Sequence, residues 1–545
     1  MTLTSNTITP KSRAVLSPYS RYGVGWQRKI IWTVVTMVAG FCLFYGFFYA
    51  LVAPFLFVFF MAPLAIMAVI TIWALPDMQR APTNLLPPLL FAFLTALILW
   101  PNYLAISLPG LPWITMIRLT TFPMAFILLI CLSISLEFRT ELTRILSATS
   151  PLWKAVLAFG CVQFLAIAFA TYKTQSFQYT LVAQTSWTAI FFISAYVFSK
   201  PGRVKRFAVI LWLMSIIVGC IGMMEVRHQQ VLWGSHIPSF LKVGDEVVQR
   251  ILAGAVRGAT GQYRIQATFS TALGLSEYCA LTLPFVLHFL MSKNKLWVRL
   301  AALASIPFLL IVIINTDARL GLLGFFLGVM VYFFLWGALK WTNSRQSLIG
   351  PATVLAYPGI FIMAVTATFV VGKIRNKVWG SGQYAASNAG RMAQVEAGWP
   401  KVFDHPIGHG PAMAGDALGY ANAAGVVTVD SYILSVGLEV GIIGLLIYIA
   451  ILSLPIFYSI KYSFTKPGRE DENTFLLPVA VCLISFFAIK FVFANDDNHP
   501  LIYMVIGIAA ALVYRARSVA EPDYAVSKTR RTTSFRRPAF SLRLR

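Results

Sequence analysis

Charge is what this chain has little of. Only 12% of its 545 residues are charged, where a soluble domain carries about 25%. Acidic groups are the scarcer kind, 20 Asp and Glu against 44 Lys and Arg, for a formal net charge of +24. Neither the phosphate loop GxxxxGK followed by Ser or Thr nor the GxGxxG fingerprint occurs, which argues against work driven by a bound nucleotide. The six cysteines (Cys42, Cys131, Cys161, Cys220, Cys279 and Cys482) form no CxxC pair and all fall in apolar stretches. They read as small core residues and not as disulfides or metal ligands. Alternating segments of ~10 residues, the mark of a membrane β-barrel, are missing too. Residues 1–29 are polar and basic, and the apolar run after them is too long for the core of a cleavable signal, so no signal peptide is expected.

What is present is apolar: 58% of the residues are hydrophobic and 14% aromatic, with a mean hydropathy of +0.73. Runs long enough to cross a hydrocarbon core of ~30 Å recur near 31–51, 54–75, 86–107, 112–136, 151–171, 177–199 and 207–225, then near 271–291, 297–315, 318–339, 352–372, 431–460, 475–494 and 499–514. The expected fold class is therefore all-α, a polytopic integral membrane protein of about 12–14 transmembrane helices. The last run looks short for a full crossing.

The connections alternate in charge. Lys200 to Arg206, Lys293 to Lys295, Lys340 to Arg345 and Lys461 to Arg469 are basic, as are the tail arginines Arg530, Arg531, Arg536 and Arg537. By the positive-inside rule these face the cytoplasm, with both termini. The net charge then reports sidedness and not nucleic-acid binding. The organisation that follows is a basic cytoplasmic tail at 1–29, a membrane domain over 30–514 and a second basic cytoplasmic tail at 515–545. Two large loops, 226–270 and 373–430, fall on the outer face with the tight turn Asn315 to Arg319.

Those outer segments carry more positive charge than the rule expects. Arg227, Lys242, Arg250, Arg257 and Arg264 lie in the first loop; Lys373, Arg375, Lys377, Arg391 and Lys401 lie in the second. They are either ordinary solvated loop charges or an anion site. Arg319 at a helix mouth favours the second reading, because a guanidinium at the membrane edge needs a partner and its fork suits a phosphate. Glu277, beside Ser276 at the mouth of its run, is either a functional buried carboxylate or the partner of a loop arginine. Lys490, near the outer end of its run, either joins the anion cluster or snorkels to the interface, the second being preferred. His405 and His409 are four apart, but Pro406, Gly408 and Gly410 argue against a helix between them, so a turn is the better reading than a metal pair of helical geometry. Asn495 to His499 reads as a polar turn.

Several segments together resemble the O-antigen ligase/polymerase superfamily, the Wzy/WaaL-type membrane glycan transferases. Gly390-Arg391 to Trp399, followed by Asp404-His405-Pro406-Ile407-Gly408-His409-Gly410-Pro411, looks like the family's loop run. Asp430-Ser431, nine residues, then Gly441-Ile442-Ile443-Gly444 resembles its motif of His and Asn, Ser or Gln, nine residues, and GxxG. Thr316 to Gly321 and Thr268 to Pro284 resemble two upstream segments. The likeness covers about residues 260–460. It implies a GT-C-like membrane enzyme working in the bacterial inner (cytoplasmic) membrane without a cofactor.

The reaction implied is transfer from an undecaprenyl-pyrophosphate-linked glycan. Arg319 and Arg391 match positions assigned to pyrophosphate binding, with Arg264, Glu277 and Lys490 as further candidates. Asp430 stands where the family has its general-base histidine. A carboxylate can take that role, or Asp430 caps the following helix. Gly441 and Gly444 are expected to allow close helix packing. The departure at Asp430 tilts the reading toward an O-antigen or exopolysaccharide polymerase over a ligase acting on a lipid A-core. A flippase for the same lipid-linked units is the alternative of another class, and a scaffold contacting membrane lipids and other polysaccharide-export proteins is a third.

Overall fold

The computed structural model describes residues 81–107, 113–256, 261–344, 346–372, 385–421, 427–465 and 471–518, with isolated residues elsewhere. Apart from isolated residues, the apolar runs expected near 31–51 and 54–75 lie outside the described residues, as do the tail 1–29, residues 519–545, Arg257, Lys373 and Lys377.

In the described residues each expected apolar run from residue 86 onward forms a helix. In hydrocarbon a backbone must satisfy its own hydrogen bonds, and a helix does so within one segment. The helices are α1 (Leu86–Leu99), α2 (Met116–Ile134), α3 (Leu136–Ser147), α4 (Ser150–Ala166), α5 (Lys173–Ala183) and α6 (Ala189–Phe198), the last two joined by a π-helical turn at Gln184–Thr188. Then come α7 (Arg203–His228), α8 (Glu246–Leu252), α9 (Ala272–Met291), α10 (Leu296–Asn315), α11 (Arg319–Asn343) and α12 (Ile349–Val370). The last five are α13 (Ala385–Asp404), α14 (Ala414–Leu418), α15 (Tyr432–Thr465), α16 (Leu476–Lys490) and α17 (His499–Ser518). The named strands are two-residue antiparallel pairs, Ala105–Ile106 with Ile114–Thr115 and Ala255–Val256 with Tyr263–Arg264.

The protein is an all-α polytopic membrane protein, with 11 helices among the described residues long and apolar enough to cross a membrane. The last of these is not short: α17 runs 20 residues, His499–Ser518. The expected run near 86–107 is instead a shorter apolar helix, Thr83–Leu99, ended by Pro101 and the first strand pair.

Burial separates centre from rim. α17 is 94% buried over its apolar window and α9 89%, whereas α12 has none, so α9 and α17 form the core of the bundle and α12 its edge. The two ends of the bundle are also distinct. At one end the connections read as outer meet each other: Thr268 Oγ1 donates to the Ile98 carbonyl at 2.6 Å, Trp233 to Tyr103 at 3.0 Å, and Ser270 to Asp497. At the other end the basic connections meet carboxylates, with Arg515 2.6 Å from Glu472 and Lys200 paired with Glu141. Both loops carry structure of their own, α8 and the second strand pair in 226–270, and α13 and α14 in 373–430.

Candidate active site

The segment that re-enters the bundle after the 373–430 loop is α15. Its first turn is capped by Ser431, whose Oγ accepts the Leu434 N–H at 3.4 Å. Asp430 is thus released from capping, which overturns that reading of it. Its backbone N–H donates to Gln394 Oε1 at 2.8 Å, and its carboxylate lies 3.5 Å from Arg391 Nε, the two side chains being 40% and 33% exposed. That exposure leaves both open to a ligand. Arg391 Nε, itself buried, makes no hydrogen bond among the described residues. The Nε thus meets Asp430 as an ion pair at 3.5 Å without hydrogen-bond geometry, a weaker hold than a buried donor normally has.

Helix α13 brings these residues together because it runs beside the first segment of α15 in the same direction. Gly398 packs on Leu434, and Gly437 on Val402, so the pairs climb both helices together from Arg391 and Asp430. Gly441 then breaks α15. Its φ of 67° and ψ of −174° are not helical, and a Cβ there would collide with the Pro406 carbonyl. The turn after α13 docks into that break. His409 N–H donates to Leu438 O at 2.8 Å and Gly410 N–H to Glu439 O at 2.9 Å, while a Cβ at Gly408 would strike the Glu439 carbonyl. The spacing of Gly408, Gly410 and Gly441 thus records one junction. Gly444 packs against Val440 and Val162, as a close-packing glycine; Gly441 is a helix break and not merely a packing site.

Arg319 is the first residue of α11, following a tight turn. Thr316 Oγ1 accepts the Ala318 N–H at 3.3 Å, and Asp317 sits at φ 46°, the left-handed region. Arg264 clamps that turn by donating from Nε to the Thr316 carbonyl at 3.0 Å. Arg319 Nη2 in turn donates to Asn388 Oδ1 at 3.2 Å. Asn388 lies three residues before Arg391 on α13, on the same face. Arg264, Arg319, Arg391 and Asp430 are therefore linked through neighbouring contacts at one end of the bundle.

Glu277 and Lys490 form a separate pair. Their side chains are wholly buried and 2.9 Å apart. Asn498 also donates to Glu277 at 2.8 Å, and Lys490 reaches the Asn495 carbonyl and the faces of Phe486 and Phe493. Snorkelling does not describe Lys490, and Glu277 pairs with a lysine of α16 instead of a loop arginine. The polar turn 495–498 serves this pair, because it supplies hydrogen bonds to Glu277 Oε2 and to Lys490, and a buried ion pair needs such partners. In that turn burial raises the Asp497 carboxyl from 3.8 to about 6, against hydrogen bonds from Ser270 and Asn495.

His405 and His409 lie in the docked turn with ring centroids 4.4 Å apart. No group of three His, Cys, Asp or Glu able to hold a metal occurs among the described residues. The sequence reading missed Asn388 and Gln394, which orient Arg319 and Asp430. Their spacing of three from Arg391 on either side was the available signal, since it marks one face of a helix.

A multi-pass membrane protein with a basic and acidic cluster at a helix re-entry is the class these features define. Residues 300–449 match the family model described as O-Antigen ligase, a stretch that contains Arg319, Arg391 and Asp430 and leaves Arg264, Glu277 and Lys490 outside. Over that stretch the chain is similar to this family, which supports a likeness to the O-antigen ligase/polymerase superfamily. No curated protein matches the chain.

Proposed function

We propose that the protein transfers an oligosaccharide from a polyprenyl-pyrophosphate carrier to an acceptor hydroxyl, at the outer face of the bacterial cytoplasmic membrane, as a polymerase of O-antigen or exopolysaccharide units. The observation that carries this is Arg391, one-third exposed and held 3.5 Å from Asp430 in an ion pair without hydrogen-bond geometry, and joined through Asn388 to Arg319. Two guanidinium groups suit a pyrophosphate, which they bind through paired charge-assisted hydrogen bonds. Engagement of the pyrophosphate would draw Arg391 from Asp430 and leave that carboxylate as a proton acceptor.

In the step itself the acceptor oxygen bonds to the anomeric carbon. The bond from that carbon to the pyrophosphate oxygen breaks, the polyprenyl pyrophosphate departs with the electron pair, and the hydroxyl proton passes to Asp430. The substrate brings its own leaving group, so the protein's work is to place the hydroxyl and to stabilise charge on the departing oxygen. Arg264 supports this by fixing the turn that presents Arg319.

A ligase acting on a separate acceptor such as a lipid A-core is the second reading, favoured by the description of the matching family. Deleting the gene and resolving surface glycan on a gel tests both. Single-unit caps support the polymerase; long glycan retained on the carrier supports the ligase; unchanged glycan overturns both.

A further inference from the structure

A second concave site lies at the far end of the helix pair that carries the charge cluster. Its volume is about 350 Å³, and its polar lining is Thr171, Lys401, Asp404, His405, His409 and Asp416. That size falls in the range of small-molecule sites, ~300–1,000 Å³. None of these residues belongs to the arginine and aspartate cluster described above.

The cavity is built, not incidental to a loose loop. Lys401 Nζ donates to the carbonyls of Ala417 and Leu418 at 2.9 and 3.0 Å, tying the end of α13 to the end of α14. The His405–Gly410 turn is fixed on the break in α15 by the Leu438 and Glu439 carbonyls. Gly410 in turn abuts Ala170, the neighbour of Thr171. Three separate elements thus hold the lining in place, which is the pre-formed arrangement a binding site requires.

The lining chemistry narrows the ligand. Two carboxylates face one ammonium that is already spent on backbone carbonyls, so an anion is disfavoured. No metal-holding group of three occurs here among the described residues. What remains is a mixture of acceptors (Asp404, Asp416, and His409, whose Nδ1 donates to the Leu438 carbonyl at 3.1 Å), groups that both donate and accept (His405, Thr171), and the apolar side of Met413. That mixture matches a neutral polyhydroxylated ring, whose hydroxyls also donate and accept.

Position adds the second argument. α13 and the first segment of α15 run in parallel from Arg391 and Asp430 toward this cavity, and the ten residues from Arg391 to Lys401 span ~15 Å of helix. A ligand anchored at the charge cluster and extending along the helix pair would reach the cavity with a part remote from the reacting bond.

We infer that this cavity is a saccharide subsite that holds a distal sugar of the lipid-linked oligosaccharide. The inference rests on the transferase reading for the identity of the ligand. Its role is recognition, since binding energy from a remote part of a substrate can be used to position the reacting end.

The test uses the purified full chain in nanodiscs, with the lipid-free repeat-unit oligosaccharide released by mild acid from the producing cells' own glycan as probe. Calorimetry and saturation-transfer NMR should show saturable binding. Asp416→Asn, His405→Gln and Thr171→Ala should each raise Kd about three- to tenfold, the effect of one hydrogen bond. Thr171→Ala sits on a different element from the other two, so a folding defect in one does not remove the test. Glu141→Gln, at the opposite end of the bundle, should bind this probe as the wild type does. Absence of saturable binding by the wild type, or unchanged Kd in all three cavity variants, overturns the inference. Transfer without such binding refutes the subsite alone; binding with no transfer from any carrier-linked donor refutes the transferase reading and leaves the subsite standing.

Discussion

Arg391 and Asp430 come from opposite ends of a 40-residue stretch of sequence and meet at 3.5 Å through the arginine Nε, both side chains staying partly exposed. The parallel course of α13 and α15 makes this contact. It places the group suited to an anion beside the group suited to a proton.

Replacing Arg391 with alanine should lower glycan transfer from a carrier-linked donor by about 10²–10³-fold, the usual effect of removing one donor to a developing negative charge. Lysine should restore little of it, because an ammonium lacks the planar fork. Initial rates in membrane vesicles would show both results. A full-rate Arg391→Lys enzyme would argue for simple charge in place of bidentate recognition.

Asp430→Asn should cost ~10²–10⁴-fold if the carboxylate accepts the acceptor's proton. Asp430→His should regain part of the rate and move the pH profile toward that of an imidazole. Equal rates for aspartate and asparagine enzymes would remove the base role and leave Asp430 as a positioning group for Arg391.

The junction between the docked turn and α15 predicts an ordered glycine series. Gly419 has φ 68° with nothing within 4 Å of an added Cβ, so Gly419→Ala should cost ~1 kcal/mol from backbone strain alone. Gly441→Ala adds a collision with the Pro406 carbonyl and should be clearly worse. Thermal unfolding in detergent would rank them, and the reverse order would discount the docking geometry.

For the buried pair, Glu277→Gln or Lys490→Met alone should destabilise by ~3–5 kcal/mol, since each leaves an uncompensated charge or an unmet partner. Glu277→Leu combined with Lys490→Met should be milder than either single change. A double variant worse than both singles would point to a role for the ion pair beyond mutual neutralisation.

Asp497 gives the protein a pH-dependent stability. Its folded carboxyl titrates at about 6 against 3.8 unfolded, raised by burial. The folded state therefore binds the proton more tightly, and the stability this contributes is whole below about 3.8 and lost as pH rises through about 6. The unfolding midpoint should fall across that window, and Asp497→Asn should flatten that component of the curve.

Much of the fold was legible because lipid leaves a backbone few options. Apolar runs of crossing length had to become helices, and every described one did. The extent of α17 was not legible, since its last turn is built from Tyr514, Arg515 and Arg517, residues that look like a tail until Glu472 pairs with Arg515. In the site, Arg319, Arg391 and Asp430 could be singled out by residue type and motif spacing. Their neighbours could not, because Asn388 and Gln394 are ordinary amides until a helix aligns them with an arginine.

By itself the sequence determined the class of protein and where its polar segments interrupt the apolar ones, because hydropathy and charge act along the chain. Only the tertiary structure decided which polar groups meet. It moved the cap from Asp430 to Ser431, turned Gly441 from a packing residue into a helix break, and paired Lys490 with Glu277 in the buried interior. These outcomes depend on partners distant in sequence, whose positions are fixed by how the helices pack against one another.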